Sequence, residues 1–252
     1  PEAVEWLRKQ KNRPHKPFAL MARNTGVLLN HVVLEYEEQQ VLESYHAPIV
    51  LLKKKATLNL APQIAPLNNY LGCMLPSTPL HHLILKKGPS ILVMTSGNRS
   101  GEPLSIDNDD AVAAFSHIAD CFLMHNRDIF FGADDSVVRI LNGKTRFIRR
   151  PRGYAPLPVY LHTPMDPILA CGAGMKNTLC LTRGRQAFLS QHIGDLENEK
   201  VFSYFKKNIS HLKKILDIEP DTIAFDMHPG YMSSQFAKAQ TGLQKISVQH
   251  HH

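Results

Sequence analysis

Residues 95–108, TSGNRSGEPLSIDN, follow the apolar run ILVM (91–94) and combine hydroxyl, amide, glycine and carboxylate groups. A short apolar run that ends in glycine and small polar residues is typical of a buried strand followed by a tight turn. Such a turn can present backbone N–H groups and small polar side chains to an anion. The stretch therefore indicates a strand and an anion-binding turn, with nucleotide phosphate as the candidate ligand; an ordinary strand-end turn is the alternative.

The composition is that of a globular chain of one or two domains, with 252 residues of which 43% are hydrophobic. The sequence contains no apolar run of the roughly 18 to 20 residues needed to span a bilayer, and its first residues are charged. We therefore expect a cytoplasmic protein without a membrane partner. Four cysteines without a C-x-x-C pair predict reduced thiols: Cys73, Cys121, Cys171 and Cys180.

The formal net charge of +7 indicates an anionic partner. The basic residues form two clusters: Lys9, Lys11, Arg13, Lys16 and Arg23, and Lys144, Arg146, Arg149, Arg150 and Arg152. A solvated basic surface is the alternative interpretation of each. Only Phe18, Phe147 and Tyr154 lie near them, so the stacking aromatics of a single-strand platform are missing and a nucleic-acid partner is not expected.

Hydrophobic periodicity predicts a mixture of strands and helices, an α/β or α+β fold. Helices are expected over residues 3–11, 109–117 and 197–216, and strand character in FALMAR, GVLLNHVVLEY, HAPIVLLKKK, SILVMTSG, ADCFLMH, DSVVRIL, KTRFIRR and TIAFD. YAPLPVYLHTPMDP contains four prolines, which favours extended, unpaired backbone, so residues 159–166 are predicted to be a linker between two domains.

A family resemblance extends over almost the whole chain. KNRPHKPFALMA, LPSTPLHHLIL, MTSGNRSGEP, HNRDIFFGADDSVVR, RRPRGYAP, GAGMKNTLCL, SQHIGDLEN and DMHPGYMSSQFA occur in the order found in the hydrogenase maturation carbamoyltransferases of the HypF family. The resemblance implies a YrdC-like twisted-sheet domain over 1–158 and the N-terminal part of a TsaD-like ASKHA domain, an actin-like ATPase fold, over 167–252. The family's acylphosphatase domain and structural zinc fingers have no counterpart, so the chain resembles an internal fragment.

The resemblance also implies a chemistry. Family members use carbamoyl phosphate and ATP to form carbamoyl-adenylate and then pass the carbamoyl group to the C-terminal cysteine of the partner HypE, for synthesis of the cyanide ligand of [NiFe]-hydrogenase. Formation of an adenylate requires cations that neutralise the triphosphate and that position the carbamate in line with the α-phosphorus.

The family motifs assign candidate site residues in the first domain. The catalytic candidates are the K-x-R pair Lys11 and Arg13, the S-x-N pair Ser96 and Asn98, and the arginines Arg150 and Arg152. Thr95, Gly97, Thr78, His81 and Tyr154 are expected to bind ATP with Mg²⁺, while Ser77 replaces a family tyrosine. Asp134 and Asp135 are expected either to hold Mg²⁺ or to pair with Arg139 or Arg127.

In the second domain the resemblance assigns nucleotide binding to Lys176, Asn177, Asp195 and Asp226, with Gln191, His192 and His228 along the same cleft. The terminal VQHHH matches the start of a histidine-rich motif, and it also matches a purification tag. His250 and His252 are therefore candidate ligands of a divalent metal, iron or zinc, in the intact domain.

Two other functions fit the same residues. YrdC-like and TsaD-like domains also occur in enzymes that make threonylcarbamoyl-adenylate for tRNA modification. The chain could alternatively bind a nucleotide or a protein without catalysis.

Overall fold

The computed structural model describes residues 1–57 and 59–251. The chain divides into two compact units. The first contains residues 1–100, 105–131 and 135–153, and the second contains residues 101–104, 132–134 and 154–252. Each unit has a mixed β-sheet with helices, as the predicted fold class requires.

The first unit is built on a six-stranded sheet of order β4-β1-β3-β2-β5-β6. Its strands are β1 (Ala19–Ala22), β2 (Ile49–Lys53), β3 (Tyr70–Met74), β4 (Ile91–Met94), β5 (Val137–Leu141) and β6 (Lys144–Arg149). Its α-helices are α1 (Glu2–Gln10), α2 (Thr25–Leu28), α3 (Tyr36–Leu42), α4 (Pro79–Lys87) and α5 (Asn108–Phe115), and a short 3₁₀ helix spans Pro62–Ile64.

The directions of the strands decide which loops share an edge of this sheet. β1 is parallel to β3 and antiparallel to β4. β2 is antiparallel to β3 and parallel to β5, which is antiparallel to β6. The sheet therefore has two opposite edges at which strands begin and end. β3 and β6 end at one of them, and β4 ends at the other, where β1 begins.

The prediction of a strand in GVLLNHVVLEY is wrong, because polar groups cap two helices there. The Asn24 side chain accepts a hydrogen bond from Val27 N at the start of α2, and Glu35 and Glu38 form a capping box at the start of α3. The strand predicted in ADCFLMH is also not formed. Leu123 of that segment is 75% exposed, so its apolar pattern does not mark a buried strand.

The second unit has a five-stranded sheet of order β11-β10-β8-β9-β7. Its elements are β7 (Pro158–Met165), β8 (Ile168–Ala170), β9 (Cys180–Leu189), α6 (Glu199–Leu216), β10 (Thr222–Asp226), α7 (Met232–Ala239) and β11 (Gln244–Val248). The core lies between the sheet and α6, which buries Val201, Phe205, Ile209 and Leu212. The predicted helix at 197–216 is thereby confirmed.

The predicted linker over 159–166 is a paired strand. β7 is antiparallel to β9, with Val159 opposite Ala187. β7 lies at an edge of its sheet, and prolines are tolerated there because one side of the strand needs no ladder hydrogen bonds. Pro164 lies where the register shifts between Tyr160 and Met165.

Candidate functional site

The K-x-R and S-x-N motifs meet at the sheet edge where β4 ends and β1 begins. Lys11 directly follows α1, and its Nζ donates to the carbonyl oxygens of Ser96 at 2.9 Å and Asn98 at 2.7 Å. The Ser96 hydroxyl donates to Asn98 Oδ1 at 2.6 Å. Ser105 N donates to Gly97 O and closes the loop. Two motifs 85 residues apart therefore form one polar group.

Arg13 is held beside this group by the backbone of its own loop. Its guanidinium donates to Lys16 O and Pro17 O and lies 5.0 Å from the centre of the Phe18 ring. The loop is fixed in turn by Arg8, which is buried and donates to the carbonyl oxygens of Arg13, Gln63 and Ile64. Arg8 was not among the predicted site residues, since its position in α1 gives no sign that it reaches back to this loop.

The electrostatics of this edge favour an anion. Burial lowers the pKa of Lys11, and the charge of Arg13 lowers it further. Burial also lowers the pKa of Arg13, followed by the charges of Arg8 and Arg149. Because these cations destabilise one another, a bound phosphate would relieve their repulsion.

The same edge offers oxygen atoms to a hard cation. The Thr95 hydroxyl oxygen is buried without a hydrogen-bond partner, and it precedes the Ser96 hydroxyl and the Asn98 amide. Magnesium prefers oxygen ligands and keeps part of its water shell beside substrate phosphates. The residues present therefore fit a magnesium-bound phosphate.

A second group lies at the opposite edge, where β3 and β6 end. Arg152 forms an ion pair with Asp135, and the Ser136 hydroxyl donates to Arg152 O at 2.8 Å. Asp135 thus pairs with an arginine, which is one of the two roles expected of the pair Asp134 and Asp135. Its partner is Arg152, whereas Arg139 donates to the hydroxyl of Tyr70.

Thr78 and His81 belong to this second group. The Thr78 hydroxyl accepts from His81 N at 3.2 Å and caps the start of α4. His81 Nδ1 lies 3.4 Å from the hydroxyl of Ser77, the residue that replaces the family tyrosine. Burial lowers the pKa of His81 and the charge of Arg152 lowers it further, while Asp135 acts in the opposite direction.

The remaining RRPRGY residues have separate surroundings. The guanidinium of Arg150 lies 5.7 Å from the centre of the Phe147 ring. Gly153 has a φ of +89°, and a Cβ there would be 2.3 Å from His46 O, so only glycine fits. Tyr154 belongs to the second unit, and its carbonyl oxygen accepts from Leu157 N.

In the second unit, the GAGMKNT loop is built by Asn177 and Asp195. Asn177 is 1% exposed, and its Nδ2 donates to Cys171 O at 2.8 Å and Ala173 O at 2.6 Å. Asp195 Oδ1 accepts from the backbone N–H of Lys176 at 2.7 Å, and the φ of Lys176 is +48°. The structure thus shows a loop-shaping role for both side chains, and a nucleotide contact remains a prediction.

Gln191, which is expected along the cleft, is buried and hydrogen-bonded to the backbone of Gly132. Its Nε2 donates to Gly132 O at 2.7 Å, and the Tyr204 hydroxyl donates to the same oxygen. Burial raises the pKa of Tyr204 to about 12, so its hydroxyl stays protonated and can keep donating.

Asp226 is 6% exposed and is already paired. Its Oδ1 accepts from His228 N at 2.8 Å, and its Oδ2 lies 3.0 Å from His250 Nδ1. Among the residues that the structure describes, no three His, Cys, Asp or Glu side chains form a metal-binding group, and His252 lies outside them. These side chains therefore do not fit a metal ion by themselves.

Comparison with known proteins gives the class of the chain. Residues 1–151 match the Sua5/YciO/YrdC family model, described as "Telomere recombination", and residues 163–252 match the "HypF Kae1-like domain" model. The chain therefore belongs to the Sua5/YciO/YrdC family, with a Kae1-like unit following, and the predicted fold class is confirmed.

The particular relatives are carbamoyltransferases named HypF. The chain is 47% identical to HypF of Synechocystis sp. over 100% of its own length and 33% of that protein, and 42% identical to HypF of Rhizobium leguminosarum bv. viciae over 99% and 34%. It spans about a third of the length of these relatives. The predicted resemblance is thus confirmed.

Solved structures of HypF proteins resemble this chain closely. A full-length HypF crystallised in a phosphate- and nucleotide-bound form is 47% identical, with a TM-score of 0.94 over 99% of this chain and 40% of that one. HypF of T. kodakarensis is 34% identical, with a TM-score of 0.92 over 99% of this chain and 33% of that one. P. abyssi Sua5, at 12% identity and a TM-score of 0.53, shares the fold. No helix within the described part of the chain is long and apolar enough to cross a membrane.

Proposed function

We propose that this chain carries the adenylate-forming site of a HypF-type carbamoyltransferase. In the proposed reaction, carbamate derived from carbamoyl phosphate attacks the α-phosphorus of ATP, forming carbamoyl-adenylate and releasing pyrophosphate. The cysteine thiol at the C-terminus of a HypE-type acceptor then attacks the carbamoyl carbon, forming a thiocarbamate and releasing AMP. The observation that carries the proposal is the convergence of Lys11, Arg13, Ser96 and Asn98 at one sheet edge.

Each of these residues has a task in the proposed reaction. Arg13 offers a planar guanidinium that can hold a carboxylate or phosphate with two parallel hydrogen bonds, and Lys11 offers a point charge. Their fixed positions stabilise the charge that develops on the departing pyrophosphate without reorganisation. Holding carbamate in line with the α-phosphorus supplies much of the remaining acceleration.

The oxygens of Thr95, Ser96 and Asn98 would hold a magnesium ion, which neutralises phosphate charge when bound. Before a ligand binds, the hydroxyl of Ser96 is engaged with Asn98 Oδ1. Ligand binding would therefore replace this hydrogen bond.

At the opposite edge, Arg152 and His81 are candidates to contact another part of the substrates. Since the pKa of His81 is lowered, its imidazole is mainly neutral at neutral pH and can either accept or donate a hydrogen bond.

The test is exchange of labelled pyrophosphate into ATP with Mg²⁺, with a separate acylphosphatase supplying carbamate from carbamoyl phosphate. One reaction contains carbamoyl phosphate and the other contains bicarbonate and threonine. Exchange that depends on carbamoyl phosphate is expected. A thermal-shift measurement with ATP shows that the sample is folded and binds nucleotide.

Threonine-dependent exchange would contradict the proposal and would indicate a threonylcarbamoyl-adenylate synthase, which the Sua5/YciO/YrdC match over residues 1–151 keeps as the second candidate. A folded sample that binds ATP and shows neither exchange would indicate nucleotide binding without catalysis.

A further inference from the structure

The two cations of the K-x-R motif are held by different parts of the first unit. Lys11 Nζ donates to the carbonyl oxygens of Ser96 and Asn98, in the turn that follows β4. The guanidinium of Arg13 instead donates to carbonyl oxygens of its own loop, residues 13–17. The position of Arg13 therefore depends on the contacts that fix this loop.

The loop is fixed by the guanidinium of Arg8. Arg8 Nη1 donates to Arg13 O at 2.6 Å and to Lys16 O at 3.2 Å. Its Nε and Nη2 donate to Gln63 O and Ile64 O, which belong to the 3₁₀ helix. One planar group with donors on three nitrogens thus joins the loop to a segment 55 residues further along the sequence.

Arg8 is a buried cation without a carboxylate partner. It is 9% exposed, and within residues 1–57 and 59–251 no carboxylate forms an ion pair with it. A buried charge is costly unless its polar atoms are hydrogen-bonded, and backbone carbonyl oxygens provide those bonds here. Burial lowers the pKa of Arg13, and the charge of Arg8 lowers it further. The charge of Arg8 is therefore felt at Arg13, where it favours a bound anion.

The guanidinium of Arg13 keeps one nitrogen available for a ligand. Its Nε and Nη2 donate to Lys16 O and Pro17 O, while Nη1 has no acceptor among the residues that the structure describes. The guanidinium groups of Arg8 and Arg13 lie 4.9 Å and 5.0 Å from the centre of the same buried ring, that of Phe18. A side chain held in this way loses little conformational freedom when it binds a carboxylate or a phosphate.

We propose that Arg8 is a positioning residue that holds Arg13 ready for the anionic substrate, independently of Lys11. This inference rests on the proposed adenylation, in which Arg13 binds the carbamate carboxylate or a phosphate of ATP. Arg8 itself contacts no substrate, because its donors are directed to backbone oxygens of the loop and the 3₁₀ helix. It acts only through Arg13.

Two double-mutant cycles, measured by pyrophosphate exchange, test this role. Arg8→Lys keeps the positive charge but replaces the planar fork by a single nitrogen, which cannot bridge the two segments. Alone it should lower the exchange rate about tenfold. Because this loss arises through Arg13, adding Arg8→Lys to Arg13→Ala should cause little further loss. Adding it to Lys11→Ala should multiply the two losses.

The two cycles separate positioning from a general loss of stability. A variant that only unfolds more easily lowers exchange by the same factor in both backgrounds. Lys9→Ala removes an exposed cation from the same helix and should leave exchange unchanged. Thermal unfolding shows whether each protein is folded, and Arg8→Gln, which retains a planar donor group without the charge, replaces Arg8→Lys if that variant does not fold.

Equal losses in the Arg13→Ala and Lys11→Ala backgrounds would overturn the proposal, as would an Arg8→Lys protein with unchanged exchange. An Arg13→Ala protein that keeps the exchange rate and ATP affinity of the unmodified protein would also overturn it, because Arg8 would then have no effect to transmit.

Calorimetric titration of the same variants with MgATP needs no turnover. ATP affinities that follow the predicted pattern in proteins without exchange would overturn the adenylation proposal and leave the positioning role standing. Exchange that requires carbamoyl phosphate, with losses that multiply in both backgrounds, would do the opposite.

Discussion

Lys11 joins the two motifs that define the candidate site, because its ammonium contacts the carbonyl oxygens of both Ser96 and Asn98. Its sequence position gives no indication of this contact, since the motifs are 85 residues apart. Family resemblance rather than spacing identified the pair. Periodicity and composition report local structure, and long-range contacts between loops leave no periodic pattern.

Replacement of Lys11 by Ala should lower the rate of pyrophosphate exchange. Loss of a cation that stabilises reacting phosphates costs about 2 to 4 kcal/mol of transition-state stabilisation, or roughly 30- to 900-fold in rate. Lys9→Ala is the matched control, because Lys9 is exposed at the end of the same helix. Equal rates in the Lys11 variant and the control would remove Lys11 from the site.

His81 should make the stability of the first unit depend on pH. Its pKa is lower in the folded state, so the unfolded chain binds more protons once the pH falls below the usual histidine pKa of about 6.5. The folded state is then progressively disfavoured until the pH passes the lowered pKa. Above about 6.5 the imidazole is neutral in both states and has no effect.

Denaturant unfolding between pH 7.5 and 5 checks this sign. His81→Gln should reduce the loss of stability on acidification, whereas His117→Gln, at an exposed position beyond the end of α5, should not. A His81→Gln protein with an unchanged pH profile would show that burial of the imidazole has no effect on stability.

At the scale of elements, helices with an apolar stripe could be predicted from sequence. α1, α5 and α6 are examples, and Asp107 caps α5 by accepting from the backbone of Asp109 and Asp110. α2 and α3 could not be predicted from apolar content, because a continuous apolar run fits strand and buried helix equally. The capping residues Asn24, Glu35 and Glu38 were the available signal.

β7 shows a second limit of predicting elements from sequence. Prolines disfavour a central strand, but the edge position that accommodates them is a property of the sheet and not of the segment. A proline-rich stretch therefore cannot be assigned to a linker or an edge strand before the strand order is known.

The cap of α6 gives an element-scale prediction. The Asn198 side chain accepts from Lys200 N at 2.9 Å and from Val201 N at 3.3 Å. Asn198→Ala should lower the free energy of unfolding of the second unit by about 1 kcal/mol, because two helix N–H groups lose their acceptor. Asn198→Asp keeps the acceptor and should stay near the unmodified value in denaturant melts. Equal losses in both variants would contradict a capping role.

At the scale of the whole molecule, the family and both of its folds could be predicted from motifs that recur in order along the chain. The roles of individual side chains were less accessible. Asn177 and Asp226 carry the residue types expected of a nucleotide site, yet Asn177 Nδ2 donates to the surrounding backbone, and the Asp226 carboxylate oxygens contact the backbone and His250. Residue type alone does not distinguish a side chain that contacts a ligand from one that stabilises a loop.

The net charge of +7 and the cations at the K-x-R edge of the first unit support the proposal that the chain binds phosphate. The proposed adenylate formation would use these cations together with the oxygen atoms of Thr95, Ser96 and Asn98. Exchange of labelled pyrophosphate into ATP therefore tests the account most directly. Exchange that requires carbamoyl phosphate and is lost in Lys11→Ala is the predicted result. Exchange that requires threonine, or none from a folded sample that binds ATP, would contradict it.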